Sequence, residues 1–216
     1  MKTLKEFTQW LEEEQAPNSF SLETLKRIQS AKPSEKDLNL VLSYLLKTLG
    51  KPSQKGSSRA VWILNETQVL KVGLLYEELD QNKREVKNLK CMGQDYAPKL
   101  YDFHPHFYWL LMEKVVPITN EAQFVEQFSK HVGLQLQPRM IINGIDSNIA
   151  LVITNLIGGF QTKTYKELLM KLNQSSWFKT LISKMKKCRI DPGDLHYENW
   201  GIRSSTGELV LLDLGF

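Results

Sequence analysis

The amino-acid pattern predicts an α+β fold: a helical stretch, then a small, mainly β lobe with one helix, then a mainly helical lobe ending in a hairpin. Three observations predict it. Apolar residues recur at helical spacing through the first fifty positions; short apolar runs punctuated by turn residues follow between 60 and 112; and helical spacing returns beyond Glu113 until a strand–turn–strand pattern at 200–212. A chain of 216 residues, 42% hydrophobic and 24% charged, can bury one sizeable core or two modest lobes.

Each element has its own signal. Phe7, Trp10 and Leu11 share a helical face, and Pro17-Asn18 ends that segment. Ser19 or Ser21 can cap a second helix through Leu22, Leu25 and Ile28. Pro33-Ser34 opens a third, with a stripe of Leu38, Val41, Leu42, Leu45, Leu46 and Leu49 ending near Gly50. Residues 1–49 are thus expected to form a helical extension. Residues 51–58 read as a polar loop. Strand-like runs at 60–64 and 68–72 flank Asn65-Glu66-Thr67, a hairpin pattern. A helix is expected over 78–92, with Val86, Leu89 and Met92 on one face, Glu85 at its edge, and Lys83, Arg84, Lys87 and Lys90 as surface partners for that carboxylate. Extended segments at 99–103 and 107–112 complete a lobe of residues 50–112. Residues 113–216 form the second lobe, with helices expected at 121–131, 165–172 and 177–188; positions 133–161 show no clear period. The closing hairpin pairs Trp200-Gly201-Ile202 with 208–212 across Ser204-Ser205-Thr206-Gly207.

Bulk properties narrow the function. A net charge of +4 suits a phosphate-bearing ligand without demanding nucleic acid, and no nucleic-acid recognition motif is present. No apolar run reaches membrane-spanning length, and Met1 to Glu6 leads into a charged amphipathic pattern, which predicts no signal peptide. Cys91 and Cys188 form no spacing motif, so the expectation is a reduced, cytoplasmic protein. The five basic residues between Lys179 and Arg189 read as the wet face of a helix whose inner face is Trp177, Leu181, Ile182 and Met185. His104-Pro105-His106 fits a loop between strands better than a zinc site, and the five tryptophans fit core positions.

The C-terminal hairpin is where chemistry concentrates. It brings the residue before its first strand, Asn199, towards the residue after its second, Asp213, with Asp194 shortly upstream. An amide oxygen and a carboxylate at one open end make a hard oxygen site suited to Mg2+. A further carboxylate can orient a hydroxyl and take its proton.

Asp194-Leu195-His196-Tyr197-Glu198-Asn199, followed after a strand–turn–strand by Asp213-Leu214-Gly215, resembles the catalytic loop and metal motif of the protein-kinase-like superfamily, which includes aminoglycoside and choline phosphotransferases. The resemblance, over residues 50–216, implies a two-lobed fold of divergent phage or bacterial type with a minimal C-terminal lobe. Asp194 would be the catalytic base, with Asn199 and Asp213 as metal ligands. Val69-Leu70-Lys71-Val72 resembles the strand whose lysine grips the α- and β-phosphates of ATP, and Glu85, in Lys83-Arg84-Glu85-Val86, stands where the family keeps the lysine's partner. Leu110-Leu111-Met112-Glu113-Lys114-Val115 is similar to the last strand and hinge, where Met112 would back the adenine and the backbone of Glu113 and Val115 would bind its edge. Gly56-Ser57-Ser58 would cover the phosphates, although the loop lacks a full G-x-G-x-x-G. Pro192-Gly193-Asp194 stands in place of His-Arg-Asp, and Gly-Asp-Leu-His is the form of the small-molecule branch. The implied activity is ATP- and Mg2+-dependent phosphotransfer, with a Ser/Thr protein as first acceptor and a small-molecule alcohol as second. Because the chain stops one residue past the metal motif, a nucleotide-binding pseudokinase that acts through a protein partner is the rival expectation.

Overall fold

Two serines start the described N-terminal helices. Ser21 accepts the Thr24 N–H to open α1 (Leu22–Lys26), and Ser34 accepts the Asp37 N–H to open α2 (Glu35–Leu49). Gly50 closes α2 with φ +74, a left-handed value that side chains disfavour. The computed structural model describes residues 19–133, 170, 172–190 and 197–215. The helix expected around Phe7, Trp10 and Leu11, most of the one at 165–172, and the aperiodic stretch after Gly133 lie outside them. The chain divides into two units, Met1–Val86 with Leu100–Lys114 and Lys87–Lys99 with Val115–Phe216.

The first unit is built on a five-stranded antiparallel sheet of order β1-β2-β3-β5-β4: β1 (Gln54–Lys55), β2 (Arg59–Ile63), β3 (Gln68–Gly73), β4 (Leu100–Phe103) and β5 (Trp109–Glu113). The expected hairpin at Asn65-Glu66-Thr67 is present, closed by the Leu64 N–H on the Gln68 carbonyl. The expected polar loop at 51–58 contains β1, because Gln54 and Lys55 add an edge to β2 (Gln54 opposite Val61) even though both side chains are exposed. Backbone pairing, not burial, makes that strand, so no apolar alternation announces it.

Register gives the sheet two different faces. Ala60, Trp62, Leu70, Val72, Trp109 and Leu111 point one way and join Leu25, Ile28, Leu38, Val41, Tyr44 and Leu45 in one apolar core. The buried stripe of α2 is rotated from the expected one: Tyr44 is fully buried, its hydroxyl accepting the Ser21 N–H at 2.8 Å, while Leu46 is 51% exposed. The longer tyrosine reaches a polar partner from within the core, and that decides which side of α2 turns in.

Polar groups seal the same side. Asp37, buried on α2, accepts from the Ser30 backbone and hydroxyl, and Tyr108 bonds Ser34. His104 stacks on Tyr108 with centroids 4.5 Å apart, and its Nδ1 accepts the His106 N–H at 3.0 Å, so the proton sits on Nε2. The histidines expected in a plain loop are therefore structural, with His104 fully buried.

In the second unit, β6 (Val116–Pro117), β7 (Trp200–Ile202) and β8 (Leu209–Leu211) form a three-stranded antiparallel sheet. Among the described residues its helices are α4 (Glu121–Val132) and α5 (Ser176–Cys188); the last turns of α3 (Leu79–Met92) belong to it too. Phe128 makes edge contacts with Trp177, Phe178 and Trp200. The expected inner face of α5 gains Phe178 and Cys188 beside Leu181, Ile182 and Met185, while Trp177 is half-buried. Cys91 and Cys188 are joined in a disulfide that ties α3 to the end of α5, which corrects the expectation of two free thiols and removes its argument for a reducing compartment. Sequence spacing could not show it, because the partners lie 97 residues apart. Among the described residues no helix is long and apolar enough to cross a membrane.

Two predictions follow from this packing. Burial, aided by the neighbouring His106, lowers the His104 pKa from 6.5 to about 4 against the opposing pull of the Ile28 carbonyl and Asp37. Between those values the unfolded chain binds more protons than the fold. The contribution of the neutral ring is therefore complete above pH 6.5 and is lost as pH falls towards 4, by up to about 3 kcal/mol. Urea unfolding across that window should show this slope, and His104→Gln should flatten it. Under non-reducing conditions, Cys188→Ser should cost roughly 2–4 kcal/mol, with the difference from the parent chain largely vanishing in excess reductant.

Candidate functional site

The polar face of the five-stranded sheet carries the first group of site residues. Val61 lies directly opposite Lys71, and Arg59 opposite Gly73, so Arg59 and Lys71 share the face turned away from the apolar core. Tyr76–Glu78 form one 3-10 turn before α3, whose Asn82 side chain donates to the Phe107 carbonyl at 2.8 Å and pins the helix to the β4–β5 connection. A Cβ at Gly73 would lie 2.8 Å from Leu79 Cδ2, so a side chain there would require the Leu79 methyl to move aside.

From α3, Glu85 reaches the polar face. Its side chain has no solvent exposure; Oε1 accepts from Lys71 Nζ at 2.6 Å, and Oε2 accepts from the Arg59 guanidinium. The expected pairing of Lys71 with Glu85 is thus present, but Glu85 is not at a wet helix edge. Its second partner is Arg59, not the neighbouring cations Lys83, Arg84, Lys87 or Lys90. Both cationic side chains are themselves largely covered, at 15% and 12% exposure. A carboxylate removed from water needs such partners, because each unpaired buried charge costs several kcal/mol.

The loop of Gly56, Ser57 and Ser58 joins β1 to β2. The Gly56 N–H donates to the Arg59 carbonyl at 2.8 Å, the Leu74 N–H to the Ser58 carbonyl at 2.8 Å, and the Ser58 hydroxyl to Gln81 of α3 at 2.9 Å. Met112 is buried near the end of β5 opposite Val69, and Glu113 pairs with Gln68; the Lys114 N–H then bonds the Thr67 carbonyl. Val115 is buried within the second unit.

The second unit carries the other group. Asn199 ends a short 3-10 turn, Tyr197–Asn199, that leads into β7. Trp200 pairs with Leu211, and the Leu212 N–H donates to the Asn199 carbonyl at 2.8 Å, which brings Asn199 and Asp213 to one end of the hairpin as expected. Gly201 lets β7 lie close to its neighbours, since a Cβ would meet Leu212 Cγ at 2.9 Å. Asp213 Oδ1 accepts the Gly215 N–H, and the buried Asn88 side chain donates to the Leu214 carbonyl at 2.8 Å. Arg203 anchors the hairpin by donating to the carbonyls of Gln94 and Ala97 and to Glu208. The Thr206 hydroxyl and then Arg203 hold the Glu208 carboxyl below its ordinary range. An amide and a carboxylate at a strand end are the hard oxygen donors Mg2+ takes, so the donor chemistry fits that ion. Among the described residues no group of three histidine, cysteine, aspartate or glutamate side chains offers a metal site. Asp194 lies outside the described residues.

Arg59 is the residue that sequence reading missed. No sequence signal marked it: the strand was expected to begin at Ala60, and Val61 and Ile63, which share the face of Arg59, are as apolar as Ala60 and Trp62, so only the pairing register shows that Arg59 stands on the side of Lys71. Compared with protein-family models and with characterised protein sequences, the chain matches none.

Glu85 is the fully buried member of the triad, so the loss depends on which charge is stranded. Lys71→Met leaves Arg59 on the carboxylate and should cost about 1–2 kcal/mol. Removing both cations leaves a buried charge unpaired and should cost roughly 3–5 kcal/mol in urea unfolding.

Proposed function

We propose that the chain is an ATP- and Mg2+-dependent phosphotransferase of protein-kinase-like fold that moves the γ-phosphoryl group of ATP to a hydroxyl. The observation that carries this reading is the buried ion pair of Lys71 and Glu85, 2.6 Å apart, between a central strand of an antiparallel sheet and the helix that follows. An ammonium held by a buried carboxylate has a fixed position, and phosphoryl transfer depends mainly on positioning and charge neutralisation.

In this reading Lys71 binds the α- and β-phosphates, Glu85 holds Lys71, and the backbone of Gly56, Ser57 and Ser58 covers the phosphates. Met112 and the backbone of Glu113 and Val115 receive the adenine. Asn199 and Asp213 hold Mg2+, which when bound neutralises charge on the phosphate oxygens. Asp194, assigned from its motif alone, orients the acceptor hydroxyl and takes its proton as the new P–O bond forms and the bond to ADP breaks. A Ser/Thr protein is the first acceptor class. The Gly193-Asp194-Leu195-His196 form favours a small-molecule alcohol as the second.

Purified protein incubated with γ-labelled ATP and Mg2+, alone and with cell extract, is expected to label itself, an extract protein or a small molecule, and Asp213→Asn should abolish the label. Nucleotide-dependent thermal stabilisation that Lys71→Ala removes, without transfer, would replace the enzyme by an ATP-binding scaffold. Absence of both signals would overturn the reading.

A further inference from the structure

Among the described residues, one bond from the Gly56–Ser58 loop and one from Arg59, the β2 residue that follows it, reach α3, and they fall on one helical face. Ser58 Oγ donates to Gln81, and the Arg59 guanidinium to Glu85; positions 81 and 85 are one turn apart. The loop is also tied to β3 through the Leu74 N–H on the Ser58 carbonyl. Loop, strand and helix therefore meet around one carboxylate whose two oxygens serve different cations, Oε1 for Lys71 and Oε2 for Arg59.

We infer that Arg59 is a positioning residue: with Ser58 it fastens the Gly56–Ser58 loop to α3, and it holds the Glu85 carboxylate turned so that Oε1 is kept for Lys71. The inference rests on the phosphotransferase reading, to which it adds the coupling of loop to ion pair. The terminal torsion of a glutamate is broad and roughly two-fold, so one partner does not fix its plane. A guanidinium, planar and multiply donating, fixes it far better than a second ammonium would. Without Arg59, the compact Lys71 ammonium can settle over both oxygens. It is then drawn onto the carboxylate and away from a phosphate, and the loop keeps its Ser58 bond to the helix without the neighbouring one from Arg59.

The test is thermal stabilisation of the full chain by MgATP and by adenosine, in the parent and in Arg59→Gln, Arg59→Lys and Ser58→Ala. Arg59→Gln is expected to raise the half-saturating ATP concentration by about tenfold or more, with Arg59→Lys and Ser58→Ala in between and adenosine unaffected. A purely structural Arg59 would lower the melting temperature without ligand yet leave ATP half-saturation within about twofold, and that result overturns the inference. If Arg59→Gln does not fold, Arg59→Lys and Ser58→Ala decide by the same criterion. Should the parent show no response to nucleotide, the phosphotransferase reading fails by itself. Amide exchange then judges the coupling: faster exchange in both 53–60 and the first turns of α3 in Arg59→Gln sustains it, and a change confined to the loop sinks it.

Discussion

A carboxylate with no solvent exposure must be neutralised by its neighbours, and Glu85 imposes that demand on the whole first unit. Lys71 and Arg59 meet it from adjacent strands only because Val61 lies opposite Lys71 and Arg59 opposite Gly73. A one-residue slip of β2 against β3 would turn Arg59 into the apolar core and Trp62 out to the polar face. Electrostatics and hydrophobic burial thus select the same register. The buried ion pair is therefore also part of what makes the sheet unique.

The opposite face shows the complementary solution. There α1 and α2 cover Trp62, Leu70, Val72 and Trp109, and three polar side chains are paired at the margin of that core: Tyr44 with Ser21, Tyr108 with Ser34, Asp37 with Ser30. The N-terminal helices therefore complete the core of the β lobe. A sheet covered on one side by helices can keep charged side chains fixed on the other, because the strands that carry them cannot shift without disrupting that core. Position of the Lys71 ammonium is inherited from packing several residues away.

In the second unit the same logic acts on a smaller scale. A three-residue hairpin strand has little intrinsic stability, and the pair β7–β8 is held by bonds from outside it. Arg203 reaches the carbonyls of Gln94 and Ala97, the Leu211 N–H bonds the Tyr96 carbonyl, and the Leu209 N–H bonds His131 Nε2. The disulfide adds a covalent tie between the end of α3 and the end of α5. Asn199 and Asp213 flank the strands so fixed, which is why two oxygen donors fourteen positions apart share one end of the hairpin.

Local chemistry was legible in the sequence wherever it is local in cause. Serine caps at Ser21 and Ser34, the glycine stop at Gly50, the turn at Asn65-Glu66-Thr67 and the closing hairpin follow from backbone preferences of a few adjacent residues. The α+β class followed from the alternation of helical and extended periods. The pairing of Lys71 with Glu85 was legible only through the order of motifs, and Arg59 was passed over because Val61 and Ile63, which share its face, are apolar and leave no alternation to mark it. Side-chain register, helix rotation and long-range covalent pairing belonged to the tertiary structure alone. Which side of α2 turns inward, whether Glu85 is wet or buried, and whether Cys91 meets Cys188 depend on what lies across a packed interface. Periodicity reports that a face is apolar; only the partner surface decides how far that face is rotated and which polar groups it must neutralise.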